Sequence, residues 1–276
     1  MSESEHLLEL YPHSGSKPLP GLYLGQDLRN ILDASPEPLV YTNFVTSLDG
    51  RIALVDRDSG ISEVPEETAN PRDWRLLQEL AAPADAIVMS GRYLRDLASG
   101  NAQALPPFSG ELPEDIGAYR KQLGLDDKPA LVFVSGSLDL PEKALDRLAD
   151  RKIMVATGKH PPDKLAFLKD RGIGVLSSAT QQVSGGWLVK ALSGEGLRLI
   201  YSIAGPGIMH TLVSAGVLWR IYLTTVTRVL GGEAFATLTR GAKLQPVRDF
   251  ELTALYLDRY APDTAQQLLQ VYTRKA

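Results

Sequence analysis

A glycine and an arginine follow an apolar run in the stretch AIVMSGRYLRDL, which covers residues 86–97. The apolar run ends at Ser90, and Gly91 and Arg92 begin a segment with the spacing of a helix. The first N–H groups of a helix have no partner within the helix, so with a guanidinium beside them they can bind a phosphate. The alternative is that Gly91 only makes the turn and that Arg92 is a solvated surface charge.

A second glycine-bearing turn follows the apolar run Leu199 to Ala204, where Gly205, Pro206 and Gly207 precede another helical pattern. Glycine lets a ligand approach the backbone, proline stiffens the turn, and the helix dipole adds roughly half a positive charge at the N-terminus. A diphosphate could be bound there with few side chains. Many strand-to-helix turns need glycine for geometry alone, so the purely structural interpretation stays open.

Neither turn matches the common nucleotide motifs. The Gly205-Pro206-Gly207 turn lacks the third glycine of the G-x-G-x-x-G fingerprint and comes late in the chain, and there is no Walker A lysine motif. A dinucleotide would therefore bind in a fold other than the Rossmann fold.

The segments around these turns alternate between apolar runs and helical patterns, which predicts an α/β sheet with mostly parallel strands. Two long final strands, WRIYLTTVTRVLGG and FELTALYLDRY, predict antiparallel strands at one edge. Both glycine turns should then lie at the carboxyl ends of strands, where open α/β sheets bind their ligands. Residues 1–38 are rich in turn formers and predict an irregular N-terminal arm with one short helix near Gln26–Asp33, followed by a single domain over residues 39–276.

The composition is that of an ordinary globular protein. The 276 residues are 44% hydrophobic and 22% charged, and a net charge of −4 without a basic block favours neither nucleic acid nor a membrane surface as partner. No apolar run approaches the ~20 residues that span a bilayer. The absence of cysteine excludes disulfides and thiolate chemistry, and the four scattered histidines predict no metal site. With no secretion signal, these features predict a cytoplasmic protein.

Four motifs in order resemble a known family. SLDGRIAL, DAIVMSGRYLRD, LVFVSGS and AGPGIMHTLVSAGV…YLTTVTRVLGG are similar in order and spacing to the dihydrofolate-reductase-like fold, over about residues 39–258. The likeness is strongest to the reductase domain of riboflavin biosynthesis. It implies a central, mostly parallel mixed sheet flanked by helices, with antiparallel edge strands, and an NADPH-dependent reductase that is commonly a homodimer. Trp219 and Tyr222 could supply the dimer surface.

The resemblance also implies roles for particular residues. Arg92 is the candidate for the 2′-phosphate of NADPH, Ser135 would contact the adenosine half, and Val45 would lie close to the nicotinamide. The resemblance also implies two groups of contacts to the phosphates of NADPH. At the first turn these are Gly91, Arg92 and Tyr93. At the second turn the backbone N–H groups would contact the diphosphate, and the residues are Gly205, Pro206, Gly207, Ile208 and Met209.

The sequence departs from the riboflavin reductases where they bind substrate. Ile203 stands in the position of a usual glutamate, Arg95-Asp96-Leu97 replaces an acidic pair, and Trp219-Arg220 replaces another. The substrate therefore stays open between the uracil ribityl-phosphate compound of that pathway, a pterin and another small carbonyl compound. A protein that binds NADPH without turnover is the alternative from a different class.

The chemistry of such an enzyme is hydride transfer to a C=N or C=O group, for which the protein handles one proton. Asp73, in the first turn of the helix predicted for RDWRLLQEL, is the candidate proton donor, although the helix dipole favours an aspartate there in any case. Asp49 and Ser59 are candidate substrate contacts, with a local turn as the alternative role of Asp49. Arg72 and Arg75 could meet a substrate phosphate or be surface charges.

Overall fold

The computed structural model describes residues 5–57, 60–110, 112–261 and 265–275 of the chain. Alternating apolar runs and amphipathic segments form strands and helices in the predicted α/β order. An eleven-stranded sheet forms the centre of the fold, and a second sheet of three short strands lies beside it.

The strands follow the apolar runs of the sequence. In chain order they are β1 (His6–Tyr11), β2 (Gly15–Pro18), β3 (Leu39–Ser47), β4 (Ala53–Val55), β5 (Ser62–Glu63), β6 (Ala86–Ser90), β7 (Ala130–Val134), β8 (Ile153–Thr157), β9 (Gly174–Ser177), β10 (Leu199–Ser202), β11 (Leu218–Val226), β12 (Phe235–Ala236), β13 (Phe250–Asp258) and β14 (Gln267–Arg274).

The helices connect the parallel strands. They are α1 (Leu28–Asp33), α2 (Pro71–Ala81), α3 (Gly91–Ser99), α4 (Glu114–Gln122), α5 (Glu142–Asp146), α6 (Pro162–Asp170), α7 (Gly185–Gly194) and α8 (Pro206–Ser214). No helix in the described ranges is both long and apolar enough to cross a bilayer.

The large sheet has a parallel and an antiparallel part, with the strand order β2-β1-β13-β14-β11-β3-β10-β6-β7-β8-β9. All pairs from β11 to β9 are parallel, and all pairs from β2 to β11 are antiparallel. The predicted α/β fold, with a mostly parallel mixed sheet and antiparallel edge strands, is therefore confirmed. Because β10, β6 and β7 are adjacent and parallel, the residues that follow them lie at one edge of the sheet.

The core lies on both faces of the sheet, because successive strand residues point to opposite sides. Tyr41 and Ile87 pack against one set of helices, which includes α2 and α3, whereas their neighbours Val40 and Val88 pack against α7 and α8. The helices on the two faces therefore cover the parallel strands and leave their carboxyl ends accessible.

The expectation of an irregular N-terminal arm is wrong for part of residues 1–38. The alternation in HLLELY forms β1, which pairs with β13, and β2 extends the sheet beyond it. The predicted short helix is present as α1. Glu79, fully buried on α2, accepts N–H groups from Gly21 and Tyr23 at 2.6 and 2.9 Å and so holds the segment between β2 and α1. The boundary between an arm and a domain at residue 39 stays a prediction.

The two long final strands both pair with β14 in antiparallel orientation, but they are not neighbours, and β11 also pairs in parallel with β3 inside the sheet, not at an edge. The run QLLQVYTR forms β14, which lies between β11 and β13. Tyr222 on β11 is 1% exposed, and its hydroxyl donates to Gln26 at 2.8 Å. The suggestion that Tyr222 supplies an exposed dimer surface is therefore wrong, because its ring is part of the core.

Candidate functional site

The first glycine turn joins β6 directly to α3. Ser90 precedes the helix without a side-chain cap, and Gly91 is its first residue. A Cβ on Gly91 would lie 2.8 Å from both the Cβ and the Oγ of Ser135, the buried residue that follows β7. Glycine is therefore required at position 91, because the turn after β6 and the turn after β7 approach each other closely. This supports the structural interpretation of Gly91.

The second glycine turn joins β10 to α8, and Gly205 precedes the helix without a side-chain cap. Pro206 has no N–H group, and Ile208 and Met209 donate theirs to the carbonyl of Gly205 at 3.1 and 3.2 Å. The expectation that every residue of this turn offers a backbone donor is therefore wrong. The N–H of Gly207 has no acceptor in the described part of the chain and is the donor that the first turn of α8 leaves for a ligand.

Protein packing does not explain the glycines of the second turn. Gly205 has φ −69° and ψ −176°, which other residues adopt readily, and a Cβ on Gly205 or Gly207 would meet no atom within 4 Å. Neither a left-handed conformation nor a close contact within the described structure requires glycine there. Open space beside these backbone atoms is what an approaching ligand needs.

The two turns line one cavity of about 830 Å³, which we call the arginine cavity. Gly91, Ser135 and the Gly205–Ile208 turn meet in its wall. Its charged lining residues in the described ranges are Arg92, Arg95 and Arg240, with no aspartate or glutamate among them. Three guanidinium groups beside two uncapped helix starts make this cavity suitable for a ligand with several phosphates.

The three arginines are committed to the protein to different degrees. Arg92 lies 3.4 Å from Asp96 and half-exposed, and Arg95 lies 3.9 Å from the exposed carboxylate of Asp139. Arg240 is exposed, and its guanidinium has no partner among the described residues, while its backbone N–H donates to Pro206 at 3.1 Å. Exposed ion pairs contribute little stability, so these side chains can turn to a bound anion.

A second cavity of about 810 Å³, which we call the acid cavity, adjoins the first. Ser62, Ser90, Arg92 and Gly205 line both cavities. Val45 lies in the wall of the acid cavity as part of β3. Together the two cavities form a continuous site with a cationic half and a less charged half.

Asp73 lies in the wall of the acid cavity on the first turn of α2 and is 9% exposed. One of its carboxylate oxygens accepts the hydroxyl of Thr224 at 2.7 Å, and the other has no partner within the described ranges. Burial raises the pKa of Asp73 above its ordinary value, and the hydrogen bond from Thr224 opposes this only in part. A carboxyl group with these properties can hold a proton and donate it to a ligand in the cavity.

Some predicted contacts lie elsewhere. Tyr93 lines the acid cavity and not the arginine cavity, and its hydroxyl donates to the carbonyl of Ala104 at 3.0 Å. Met209 is 3% exposed and packs in the core under α8. The structure therefore does not bring Tyr93 to the expected phosphate position, and the side chain of Met209 is in the core while its N–H is bonded to Gly205. Ser59 lies outside the described residues.

Asp49 lines neither cavity. The hydroxyl of Ser47 and the N–H of Gly231, at 2.9 Å, lower the pKa of Asp49 to about 2. The guanidinium of Arg51 also forms an ion pair with the carboxylate of Asp49 at 2.7 Å. These bonds tie the end of β3 to the loop after β11, which agrees with the local turn-forming alternative.

Sequence reasoning missed three residues of the site. Thr224 is one of several polar residues on an alternating strand, and only its position opposite Val45 in the sheet brings it to Asp73. Arg240 lies in a loop without periodicity, and in the sequence Arg95 is distinguished only as part of a departure from a family motif. A contact made across the fold leaves no local signal in the sequence.

The comparisons with known proteins agree with this architecture. A family model described as the RibD C-terminal domain matches residues 38–265. No curated protein is significantly similar to the chain in sequence.

Solved structures with low sequence identity share the fold. A pyrimidine reductase-like protein from Corynebacterium diphtheriae is 21% identical with a TM-score of 0.69, covering 94% of this chain and 99% of that one. The riboflavin biosynthesis reductase of Saccharomyces cerevisiae is 14% identical with a TM-score of 0.55, covering 91% and 99%. A diaminohydroxyphosphoribosylaminopyrimidine deaminase and 5-amino-6-(5-phosphoribosylamino)uracil reductase from Thermotoga maritima is 12% identical with a TM-score of 0.53. The match covers 86% of this chain and 57% of that one.

Proposed function

Because the chain belongs to the RibD C-terminal domain family, a family of reductases, we propose that it uses NADPH to reduce a C=N or C=O group of a small molecule. The family was predicted from the motifs, and that prediction is confirmed. The coenzyme, the substrate and the roles of individual residues are the parts that we propose.

The observation that carries the proposal is the meeting of both glycine turns at one cationic cavity. Gly91, Ser135 and Gly207 follow three adjacent parallel strands, and three arginines line the space between them. A pyridine dinucleotide with a 2′-phosphate carries negative charge on its diphosphate and on that 2′-phosphate, and the three arginines would neutralise these charges. Arg92 is the candidate partner of the 2′-phosphate. The open space at Gly205 and Gly207 fits a backbone-bound diphosphate.

The acid cavity would hold the nicotinamide and the substrate. NADPH, when bound, supplies the hydride and its two electrons. Val45 would lie under the nicotinamide, and Asp73 in its protonated form would donate a proton to the substrate nitrogen or oxygen that receives the electron pair. Water would then return the proton to Asp73. In balance, the substrate would gain a C–H bond and an N–H or O–H bond and lose its π bond, while a C–H bond of the reduced coenzyme and the O–H bond of Asp73 would break and NADP⁺ would leave.

An NADPH oxidation assay tests this proposal. With a panel of cyclic imines and carbonyl compounds we expect loss of absorbance at the nicotinamide band and transfer of deuterium from labelled NADPH to product. Tight coenzyme binding without turnover over the panel would favour the non-catalytic binder, and no binding would overturn the proposal.

A second substrate class receives support from Asp73. Asp73 is a buried carboxyl group on the first turn of a helix, bonded to Thr224 at 2.7 Å, and in its protonated form it can donate a proton to a ring nitrogen of a pterin. A pterin reductase is therefore the second candidate, and 7,8-dihydropteridines belong in the assay panel.

We propose that the chain works as a cytoplasmic homodimer. Half-buried leucines share one face of the antiparallel strands β11, β13 and β14, namely Leu223, Leu255, Leu257 and Leu268. A second copy covering this face would remove its apolar surface from water. This face takes the place of the one suggested from Tyr222.

A further inference from the structure

We infer that the acid cavity takes a flat, uncharged and largely apolar compound, and that a phosphorylated substrate is excluded from it. The inference rests on the proposed function, since it assumes that NADPH occupies the arginine cavity beside it. Two observations support it. The start of α2 beside the acid cavity has no free N–H group, and the two arginines of α2 are paired with buried carboxylates.

The start of α2 lines the acid cavity and not the arginine cavity, and it is closed to anions. Asn70 caps α2, and its side-chain oxygen accepts the N–H groups of Arg72 and Asp73 at 3.1 and 2.9 Å. Its carbonyl accepts the N–H of Trp74 at 3.0 Å, and Pro71 has no N–H. A phosphate arriving here would find no free donor in the first turn and would meet the carboxyl group of Asp73. The starts of α3 and α8 have no side-chain cap, and through Ser90 and Gly205 they border both cavities, so a coenzyme in the arginine cavity would occupy their free donors.

The two arginines of α2 are also engaged away from the cavity. Arg72 pairs with the fully buried Asp258 at 2.6 Å, and Arg75 pairs with the fully buried Glu79 at 2.8 Å and with Asp115. Removing either cation from its buried carboxylate to bind a substrate phosphate would leave a buried charge unpaired, which is strongly unfavourable. Neither arginine lines the cavity.

Part of the remaining lining is suited to a flat apolar ring, and the rest adds the uncharged groups of Asn101 and Gln103 and the carboxylate of Asp96. Trp74, Leu77, Leu105 and the Pro106-Pro107 pair contribute apolar surface, and Trp74 is 39% exposed. In the described ranges the only basic lining residue is Arg92, which is shared with the arginine cavity. The residues outside those ranges include no lysine or arginine, so none of their side chains adds a cation.

A matched pair of probes tests the inference on the full chain saturated with NADP⁺, so that the arginine cavity is filled. 1-Naphthol and 1-naphthyl phosphate differ only in the phosphate, and binding is measured by calorimetry. We expect 1-naphthol to bind at least about tenfold more tightly than the phosphate ester. Equal or tighter binding of the ester, or no binding of either probe, would overturn the inference.

The coenzyme titration that precedes this experiment keeps the two proposals apart. Failure of NADP⁺ to bind would overturn the proposed function. Normal NADP⁺ binding followed by preference for the phosphate ester would overturn only the substrate class.

Two variants locate the binding. Trp74→Ala should weaken 1-naphthol about tenfold, because the ring loses its largest apolar contact. Phe167→Ala is the matched control, since Phe167 is also 39% exposed but lies on α6 outside the acid cavity. Leu77→Arg places a cation in the wall and should raise the relative affinity for the ester. Equal effects of Trp74→Ala and Phe167→Ala would contradict the location.

Discussion

The hydroxyl of Thr224 donates to the carboxylate of Asp73 at 2.7 Å, which joins β11 to the first turn of α2 across 151 residues of chain. This bond orients a buried carboxyl group at the wall of the acid cavity. If Asp73 supplies the proton, Asp73→Asn should lower kcat by about 10²–10⁴-fold, the range for a positioned general acid. The Kd of NADPH should change little, because asparagine keeps the size of the side chain in the acid cavity and the phosphates of NADPH would bind in the arginine cavity, which residue 73 does not line. Unchanged kcat in the variant would remove Asp73 from the mechanism.

The pH dependence of stability gives a test of Asp73 that needs no substrate. Because burial raises its pKa in the folded state, the folded chain binds more protons than the unfolded chain between the two pKa values. The free energy of unfolding should therefore fall as pH rises from about 4, the ordinary aspartate value, through the raised pKa. Asp73→Asn cannot ionise and should lose this decrease. Urea denaturation as a function of pH measures it, and a difference between wild type and variant that is independent of pH would argue against the raised pKa.

The glycines of the two turns should respond differently to alanine. Gly207→Ala should change the free energy of unfolding by less than about 0.5 kcal/mol, because the Cβ meets no protein atom, yet weaken NADPH by occupying the space of the diphosphate. Gly91→Ala should destabilise the chain by about 1–3 kcal/mol, because Ser135 must move. Denaturation and coenzyme titration measure both effects.

A rescue variant serves as the control for Gly91. Removing the Ser135 side chain in Gly91→Ala/Ser135→Gly should restore part of the lost stability, since the 2.8 Å contacts disappear. Gly207→Ala with unaltered NADPH affinity would mean that the diphosphate lies elsewhere.

Arg92 should discriminate between the two coenzymes. Arg92→Ala is expected to weaken NADPH binding by about 1–3 kcal/mol, the range for charge-assisted hydrogen bonds, and to leave NADH nearly unchanged. Calorimetric titration of both coenzymes measures this, with Arg171→Ala, at the residue that follows α6, as a control outside both cavities. If Arg92→Ala weakens both coenzymes equally while Arg240→Ala is selective, the 2′-phosphate belongs to Arg240.

The leucine face of the antiparallel strands should control assembly. Leu268→Glu places a charge among Leu223, Leu255 and Leu257 and should shift a dimer to monomers in sedimentation experiments. Leu123→Glu, at the exposed end of α4, is the control and should leave the mass unchanged. A wild-type chain that sediments as a monomer would contradict the proposed dimer.

Local patterns account for what the sequence could predict. The apolar run before Gly91 and the helical spacing after Arg92 determine a strand-to-helix turn within a dozen residues, and the turn at Gly205 follows the same rule. Strands β1 and β14 were harder to predict, because they show alternation but lie among turn formers near the chain ends. Their places depend on pairing with β13, a contact between distant segments.

The details of the site could not be predicted for the same reason. Nothing near Asp73 in the chain indicates Thr224, and nothing near Gly91 indicates that Ser135 would limit its side chain to hydrogen. Pro71 suggested the start of α2, but the capping by Asn70, which closes that helix to anions, depends on side-chain geometry. Residue types predicted the kind of chemistry, and the fold determined which donors remain free for it.

A crystal structure of the chain grown with NADPH tests the central claim most directly. We expect the diphosphate beside the N–H of Gly207, the 2′-phosphate within reach of Arg92, and the nicotinamide against Val45 with Asp73 nearby. A dinucleotide bound away from the Gly91 and Gly205 turns, or bound to only one of them, would contradict the claim that both turns form a single coenzyme site.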